Sequence, residues 1–164
     1  MLIRPATTAD FPQLLRLNAE SVSFLSPLNA ARLDLLFNTA AYCRVLEGGG
    51  EVVAFLLALR EGCTYDSPNY RWFVAHYAQF LYVDRVVVSK TMQGQGVGKI
   101  LYDDIFSFAR ETGVEHLTCE FDIDPPNEAS RRFHRRYGFA EVGTQTVAGG
   151  KKLVSLQAVS LKTN

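Results

Sequence analysis

Three glycines at alternate positions, Gly94, Gly96 and Gly98, separate the apolar run 86–88 from a segment with helical periodicity. A strand that passes through a glycine turn into a helix exposes amide N–H groups without carbonyl partners, and the positive end of the helix dipole points the same way. Such a turn binds phosphate groups. The alternative is that the three glycines only permit a tight turn.

Two common nucleotide-binding patterns fail here on spacing. A P-loop needs a glycine at position 93 and a serine or threonine at position 100, where this chain has Gln93 and Ile100. The dinucleotide pattern G-x-G-x-x-G needs its third glycine where this chain has Lys99. Nucleotide hydrolysis and dinucleotide binding are therefore disfavoured.

A third pattern fits the turn. Gln93-x-x-Gly96-x-Gly98 after an apolar strand resembles the coenzyme A pyrophosphate loop of the GNAT N-acetyltransferase superfamily, Arg/Gln-x-x-Gly-x-Gly/Ala. Residues 127–139 read Asn-x-x-Ser-x-x-Phe-His-x-x-x-Gly-Phe, which is similar in spacing to the family's second cofactor motif, Asn-x-x-Ala-x-x-Phe-Tyr-x-x-x-Gly-Phe. The likeness is strong over about residues 80–143, and the first half agrees only in its order of elements.

The resemblance implies acetyl-CoA as the co-substrate and assigns parts of it to the chain. The backbone of residues 86–88 would hydrogen-bond the pantetheine arm like an added strand, and the amides of residues 93–99 would hold the pyrophosphate. The implied cofactor-binding residues are Val86, Val87, Val88, Gln93, Gly94, Gln95, Gly96, Val97, Gly98, Lys99, Asn127, Ser130, Phe133 and His134.

Acetyl transfer to an amine needs a leaving-group acid for the thiolate, and His134 is the first candidate. The family usually has tyrosine, its general acid, at this position. Asn127, Ser130, His134 and Tyr137 fall on one stripe of a helix, and four arginines lie opposite. An imidazole with a pKa of about 6.5 can donate a proton near neutrality. His134 as a packing residue is the equal alternative, and Tyr137 is a further candidate donor.

The acceptor arrives as an ammonium with a pKa of about 10, so a base or an acidic relay is also needed. Glu120, Asp122 and Asp124 alternate on one face of a predicted strand, and Asp84 lies within another apolar strand. Asp84 and Glu120 are the candidate bases. Each of these carboxylates has a salt bridge or a solvated edge as its simpler explanation.

The elements that position these residues are read from periodicity and turns. We expect strands at 2–4, 41–47, 51–59, 80–88, 114–123, 140–147 and 151–161, and helices after Thr8, from Ser26-Pro27, from Gly98 to Gly113 and from Asn127 to Tyr137. The first helix would carry Phe11, Leu14, Leu15 and Val22 on one stripe, and the second Leu33, Leu36, Phe37 and Ala40. The fold class is α/β (α+β mixed) and GNAT-like, with a twisted, mixed, mostly antiparallel sheet of about seven strands and helices on both faces. Residues 1–164 would form one domain.

The segment 60–79 reads as a long connection rich in aromatic residues, leading to Phe80 and Tyr82. Long connections often serve binding, so an acceptor pocket or a dimer contact is one interpretation. Core packing is the other.

Composition sets limits on the partners. The chain has 164 residues and 48% hydrophobic content. Its net charge is zero, and this disfavours electrostatic binding to nucleic acid or to an anionic membrane. The longest apolar run, 52–59, is too short to cross a bilayer, and no signal segment is recognised. Three widely spaced cysteines form neither a disulfide framework nor a metal site, which favours a reducing cytoplasm.

The sequence therefore predicts an acetyl-CoA-dependent N-acetyltransferase that works by direct transfer, without a covalent enzyme intermediate. The acceptor would be a small-molecule amine or a peptide N-terminus, and a homodimer is left open. The alternative is a non-catalytic module that binds and senses acyl-CoA, which the histidine at the acid position favours.

Overall fold

The computed structural model describes residues 1–21 and 25–162. The strands are β1 (Leu2–Pro5), β2 (Tyr42–Gly48), β3 (Glu51–Arg60), β4 (Leu81–Val88), β5 (His116–Asp124), β6 (Ala140–Val147) and β7 (Lys152–Ser160). The helices are α1 (Phe11–Glu20), α2 (Ala30–Thr39), α3 (Pro68–His76), α4 (Val97–Glu111) and α5 (Glu128–Arg136), with short 3-10 turns at Thr8–Asp10 and Lys90–Met92.

The strands form a seven-stranded sheet in the order β1-β2-β3-β4-β5-β7-β6. The pairs β1/β2, β2/β3, β5/β7 and β6/β7 are antiparallel, and β4 pairs with β5 in parallel at Leu81↔Leu117 and Tyr82↔Thr118. The predicted fold class, a mixed and mostly antiparallel sheet in an α/β chain, is confirmed.

The chain divides into two compact units. Unit 1 comprises Met1–Leu59 and Val83–Phe108, and unit 2 comprises Arg60–Tyr82 and Ala109–Asn164. The prediction of one domain over residues 1–164 stays a prediction.

The core of unit 1 fixes the end of β4. Leu14, Leu33, Phe55 and Val87 are at most 1% exposed and belong to one hydrophobic cluster. Each large side chain of this kind contributes about 1.5–3 kcal/mol by burial. Because Val87 belongs to this cluster, the strand that leads into the glycine turn is held rigidly.

Helix starts differ from several expectations. Thr7 precedes the first 3-10 turn, and its backbone amide donates to Asp10 Oδ2 at 2.8 Å. Helix α1 begins only at Phe11, three residues after Thr8. Helix α2 begins at Ala30 and is capped by Asn29, four residues after the predicted start at Ser26. The predicted stripe member Val22 lies outside the described residues.

Residues 60–79 are not an irregular connection throughout, because α3 occupies Pro68–His76. Ser67 caps this helix by accepting a hydrogen bond from the Tyr70 amide, and Pro68 occupies its first turn. This serine–proline pair is the ordinary start signal of a helix, and the aromatic content of the segment obscured it.

Candidate active site

The turn between β4 and α4 places two glycines in the left-handed region, with φ of 77° at Gly94 and 78° at Gly96. An ideal Cβ at either glycine would meet no atom within 4 Å. Neighbouring packing therefore does not require glycine at these positions. The backbone conformation does, because a side chain in this region costs about 1–2 kcal/mol.

The amides of this turn are available as donors. Among the residues that the structure describes, the N–H groups of residues 94–98 have no hydrogen-bond acceptor, and α4 begins with the bond from the Ile100 amide to the Gly96 carbonyl. The first turn of α4 carries no acidic side chain, so nothing there neutralises the positive end of the helix. The arrangement suits an anion, as the sequence pattern predicts.

Side chains of the turn hold its own backbone. The side-chain Nε2 of Gln95 donates to the Thr91 carbonyl at 2.9 Å, and the side-chain Nε2 of Gln93 donates to the Val88 carbonyl at 3.4 Å. Lys99 points its ammonium at Asp103, 2.6 Å away, and both side chains are exposed. An exposed pair of this kind exchanges readily, so Lys99 remains able to reach an anion.

Helix α4 is anchored below the turn by a buried face. Val97, Leu101 and Ile105 are at most 1% exposed, whereas Ile100 is 38% exposed and lies off this face. At the other end Gly113 has a φ of 72°, and the Val114 amide donates to the Ala109 carbonyl. The predicted glycine stop is thus present.

Asp84, a candidate base, forms a buried ion pair on β4. Its Oδ2 accepts from Arg85 Nε at 2.7 Å, and the two side chains are only 4% and 3% exposed. Arg85 also donates to Asn18 Oδ1 at 2.8 Å and to Ser26 Oγ at 3.2 Å. The network ties β4 to the end of α1 and to the segment that precedes α2.

The second motif forms α5 in unit 2. Asn127 Oδ1 accepts from the Ser130 amide at 3.3 Å, so the predicted cap is present. The Asn127 amide donates to the Asp122 carbonyl at 3.0 Å, which joins the helix start to β5. Ser130, Phe133 and Tyr137 are half-buried, and the four arginines of the helix are exposed, as the helical wheel predicts.

His134 is buried among aromatic rings and is 4% exposed. The rings of Phe121, Phe133 and Phe139 lie 5.3–5.7 Å from its ring. Its Nδ1 lies 2.7 Å from the Ser130 carbonyl oxygen, and since a carbonyl only accepts, Nδ1 carries the proton.

Burial lowers the pKa of His134 below its ordinary value, and the bond to the Ser130 carbonyl opposes this shift only in part. The neutral form with its proton on Nδ1 therefore predominates near neutrality. That form has no proton on Nε2 to give to a leaving group. The packing interpretation of His134 gains support from this geometry.

Glu120, the other candidate base, lies on β5 and accepts a 2.7 Å hydrogen bond from the Tyr82 hydroxyl through Oε2. Asp122 lies two residues further on the same strand, and its Oδ2 is 3.4 Å from Lys152 Nζ. Asp124 is exposed at the end of the strand. Two of the three alternating carboxylates thus have specific partners in unit 2.

Four of the aromatic residues in the 60–82 segment lie close together. Tyr70, Phe73, Phe80 and Tyr82 are at most 1% exposed, with ring centroids 5.7–6.1 Å apart. These four form core, as the simpler interpretation predicts. Trp72 packs on Gly143 of β6, where a Cβ would overlap its indole ring.

Arg85 and Tyr82 are the partners that sequence reasoning missed. A buried arginine beside an aspartate in an apolar strand signals an ion pair, and that signal was available from the sequence. The pairing of Tyr82 with Glu120 depends on the register of β4 and β5 and had no local signal.

None of the helices among the described residues is long and apolar enough to cross a bilayer. The same residues contain no group of three or more histidine, cysteine or acidic side chains placed to bind a metal ion.

The fold and the strand–turn–helix arrangement are those of an acyltransferase, and comparison of the sequence with known families agrees. The family model described as "Acetyltransferase (GNAT) family" matches residues 10–139. The chain belongs to the GNAT acetyltransferase family.

Among curated proteins, the phosphinothricin N-acetyltransferase of Streptomyces coelicolor is 36% identical over 66 residues. That match covers 40% of this chain and 37% of the relative, so the chain spans little more than a third of the length of the curated relative that it matches.

Two solved structures illustrate the likeness in fold. Ard1 from Thermoplasma volcanium superposes with a TM-score of 0.80 at 18% identity and covers 99% of this chain and 98% of its own. The structure of yncA from Salmonella typhimurium, solved with its cofactor acetyl-CoA, superposes with a TM-score of 0.76 at 18% identity and covers 100% of this chain and 95% of its own. At such identities the likeness concerns the fold.

Proposed function

We propose that this enzyme is an acetyl-CoA-dependent N-acetyltransferase that transfers the acetyl group directly to a primary amine. The observation that carries the proposal is the set of unpaired amides at residues 94–98, at the start of a helix without acidic residues in its first turn. A diphosphate needs such donors, and the family motif lies at the same residues.

The cofactor-binding residues of unit 1 follow from this turn. The amides of residues 93–99 would hold the pyrophosphate, and the backbone of residues 86–88 would bind the pantetheine arm. Val87 is buried and Val86 and Val88 are half-buried, so the strand offers a fixed backbone edge and not a mobile one. When bound, acetyl-CoA supplies an activated acyl group on a thiol leaving group.

In unit 2, Asn127, Ser130, Phe133 and His134 are proposed as cofactor contacts on the family motif. The cap at Asn127 gives α5 a fixed start, since its side chain and its amide are both hydrogen-bonded. His134 would line the site as a neutral ring. Tyr137, half-buried at the end of α5, is the remaining candidate proton donor to the thiolate.

The carboxylates act on the acceptor in this proposal. The Tyr82 hydroxyl donates to Glu120 Oε2 at 2.7 Å and so holds the carboxylate in one orientation. In the proposal this oriented carboxylate attracts the ammonium of the acceptor or relays its proton through water. Asp84 is a weaker candidate as a base because it already forms a buried pair with Arg85. We propose Glu120 as the base or relay.

Direct transfer is supported by the state of the cysteines. Burial raises the pKa of the Cys119 thiol well above its ordinary value and that of Cys43 to about 12. A thiol with such a pKa stays protonated at neutral pH and is a poor nucleophile. All three cysteines are free, which also supports the proposal of a reducing, cytoplasmic location.

The test measures thiol release from acetyl-CoA with a panel of amines and peptide N-termini, together with calorimetry of coenzyme A. We expect binding of coenzyme A and release that depends on the acceptor. Tight binding without any acceptor-dependent release would favour the acyl-CoA sensor, and an absence of binding would overturn both interpretations.

The role of α5 is tested by the pH profile of turnover. His134→Ala should leave the alkaline and acid limbs of the profile in place if His134 only lines the site, whereas Tyr137→Phe should lower turnover. A profile that loses a limb in His134→Ala would restore His134 as the acid.

A further inference from the structure

A groove of about 490 Å³ lies in unit 2 and is lined by none of the residues that the proposed function uses. Its volume is within the range of small-molecule sites. The lining residues are Phe121, Ile123, Arg131, Arg135, Phe139, Glu141, Ser155 and Gln157.

The floor of the groove is set by strand register. Ser155 lies opposite Phe121 in the β5/β7 pair, and Gln157 lies opposite Glu141 in the β6/β7 pair. Because Ser155 and Gln157 are two residues apart on β7, all four side chains point to one face of the sheet. Ser155 is 1% exposed and Gln157 6%, so these two polar side chains are almost fully desolvated, whereas Glu141 at the edge of the floor is exposed.

The hydrogen bonds on this floor run in one direction. Ser155 Oγ lies 2.7 Å from Glu141 Oε2 and must donate, since an ionised carboxylate only accepts. Gln157 Nε2 then donates to Ser155 Oγ at 2.6 Å, which fixes the orientation of the Gln157 amide. Within the described residues, the second oxygen of Glu141 and the carbonyl oxygen of Gln157 have no donor. The floor therefore presents acceptors and favours a ligand that donates.

The rim of the groove carries positively charged donors, in contrast to the acceptors of the floor. Arg131 and Arg135 come from successive turns of α5, and Arg131 lies 3.6 Å from Glu128. Arg135 has no ion-pair partner within the described residues. A guanidinium in this position binds a carboxylate in a bidentate manner.

We propose that this groove binds a free α-amino acid with an apolar side chain. Its ammonium group donates to the acceptors of Glu141 and Gln157, and its carboxylate pairs with Arg135. Its side chain contacts the apolar wall of Phe121, Ile123 and Phe139. The two charged groups of one ligand thus meet the acceptor floor and the cationic rim of one groove.

The test is calorimetric titration of the full chain with L-leucine, without any coenzyme A compound, so that binding is measured apart from acetyl transfer. Two probes each lack one charged group of leucine: isopentylamine has no carboxylate, and 4-methylpentanoate has no amino group. We expect L-leucine to bind at millimolar or lower concentration and each probe to bind at least tenfold more weakly.

Three single substitutions locate the site. Arg135→Gln removes the cation of the rim, and Glu141→Gln removes the anion of the floor but can still accept from Ser155. Arg132→Gln removes the same charge from an exposed position on α5 that does not line the groove. The first two variants should weaken leucine binding at least tenfold, and the third should leave it unchanged.

Circular dichroism should show that all three variants are folded, since each changes an exposed side chain. The proposal is overturned if L-leucine gives no binding at millimolar concentration, if the two single-charge probes bind as well as leucine does, or if Arg132→Gln weakens binding as much as Arg135→Gln.

Discussion

Gly96→Ala tests the anion site at the turn between β4 and α4. Gly96 has a φ of 78°, and an ideal Cβ at this position would meet no atom within 4 Å. The substitution therefore introduces backbone strain without a steric clash, and the strain costs about 1–2 kcal/mol of the free energy of unfolding. For a chain of this size the melting temperature should fall by about 2–8 °C.

The substitution should also weaken the binding of coenzyme A, and this loss of affinity should be separate from the loss of stability and larger than it. The new methyl group either occupies the open space that the diphosphate must enter, or it drives the peptide out of the left-handed region and turns its amides away. Losing one hydrogen bond to a charged group costs about 1.5–3 kcal/mol. The dissociation constant for coenzyme A should therefore rise about 10- to 150-fold.

Gly50→Ala is the matched control. Gly50 lies between β2 and β3 in the same unit, has a φ of 83°, and likewise has no atom within 4 Å of an ideal Cβ. Both variants should lose similar stability in thermal melts, and only Gly96→Ala should lose affinity in calorimetry with coenzyme A. Equal affinity of the two variants would refute the assignment of the turn as the pyrophosphate site.

Three further predictions concern unit 2. Because the pKa of His134 is lowered in the folded state, the unfolded state binds a proton more readily. The free energy of unfolding should therefore be fully present above pH of about 6.5 and fall as the pH drops below it. Denaturant melts of a His134→Gln variant should show a smaller fall of this free energy with pH, and an equal fall would count against a buried neutral ring. Asn127→Ala removes the cap of α5 and should cost about 1 kcal/mol in the same melts, unlike Asn127→Ser, which keeps a capping oxygen. Gly143→Ala should cost about 1–3 kcal/mol because its methyl group overlaps Trp72, whereas Gly48→Ala meets only ordinary contacts at 3.6–3.7 Å and should cost less.

Local signals account for the parts of the fold that sequence reasoning predicted. The glycines at 48–50 and at 149–150 each separate two predicted strands, and in the structure both turns join antiparallel strands. The cap at Asn127 and the glycine stop at Gly113 are also local. Such features depend on only a few neighbouring residues, and here the tertiary structure agrees with them.

Features that depend on distant partners were predicted less well. Ser26-Pro27 has the form of a helix start, yet α2 begins at Ala30, and the Ser26 hydroxyl instead accepts from Arg85 on β4. Helix α3 has no simple apolar stripe, and three of its nine residues are aromatic, so periodicity does not reveal it. A distant hydrogen bond and a mixed composition each override the local pattern.

The candidate acid shows the same limit at the site itself. The spacing of the second motif places His134 on one stripe of the helix with Asn127 and Ser130, whose side chains are polar. The structure buries the ring against Phe121 and Phe139, which come from β5 and from the residue before β6. A wheel describes the helix alone, and the environment that sets a pKa comes from the other elements.

The two candidate bases differ for a reason that also lies in the pairing of elements. Asp84 accepts from Arg85, a full charge that is 4% exposed, and an acceptor ammonium would have to compete with a guanidinium already in contact. Glu120 accepts from a neutral hydroxyl, because the parallel register Tyr82↔Thr118 sets Tyr82 diagonally across from it. A neutral donor orients a carboxylate without cancelling its charge, whereas a contacting guanidinium opposes it, and this difference supports the proposal of Glu120 over Asp84 as the base or relay.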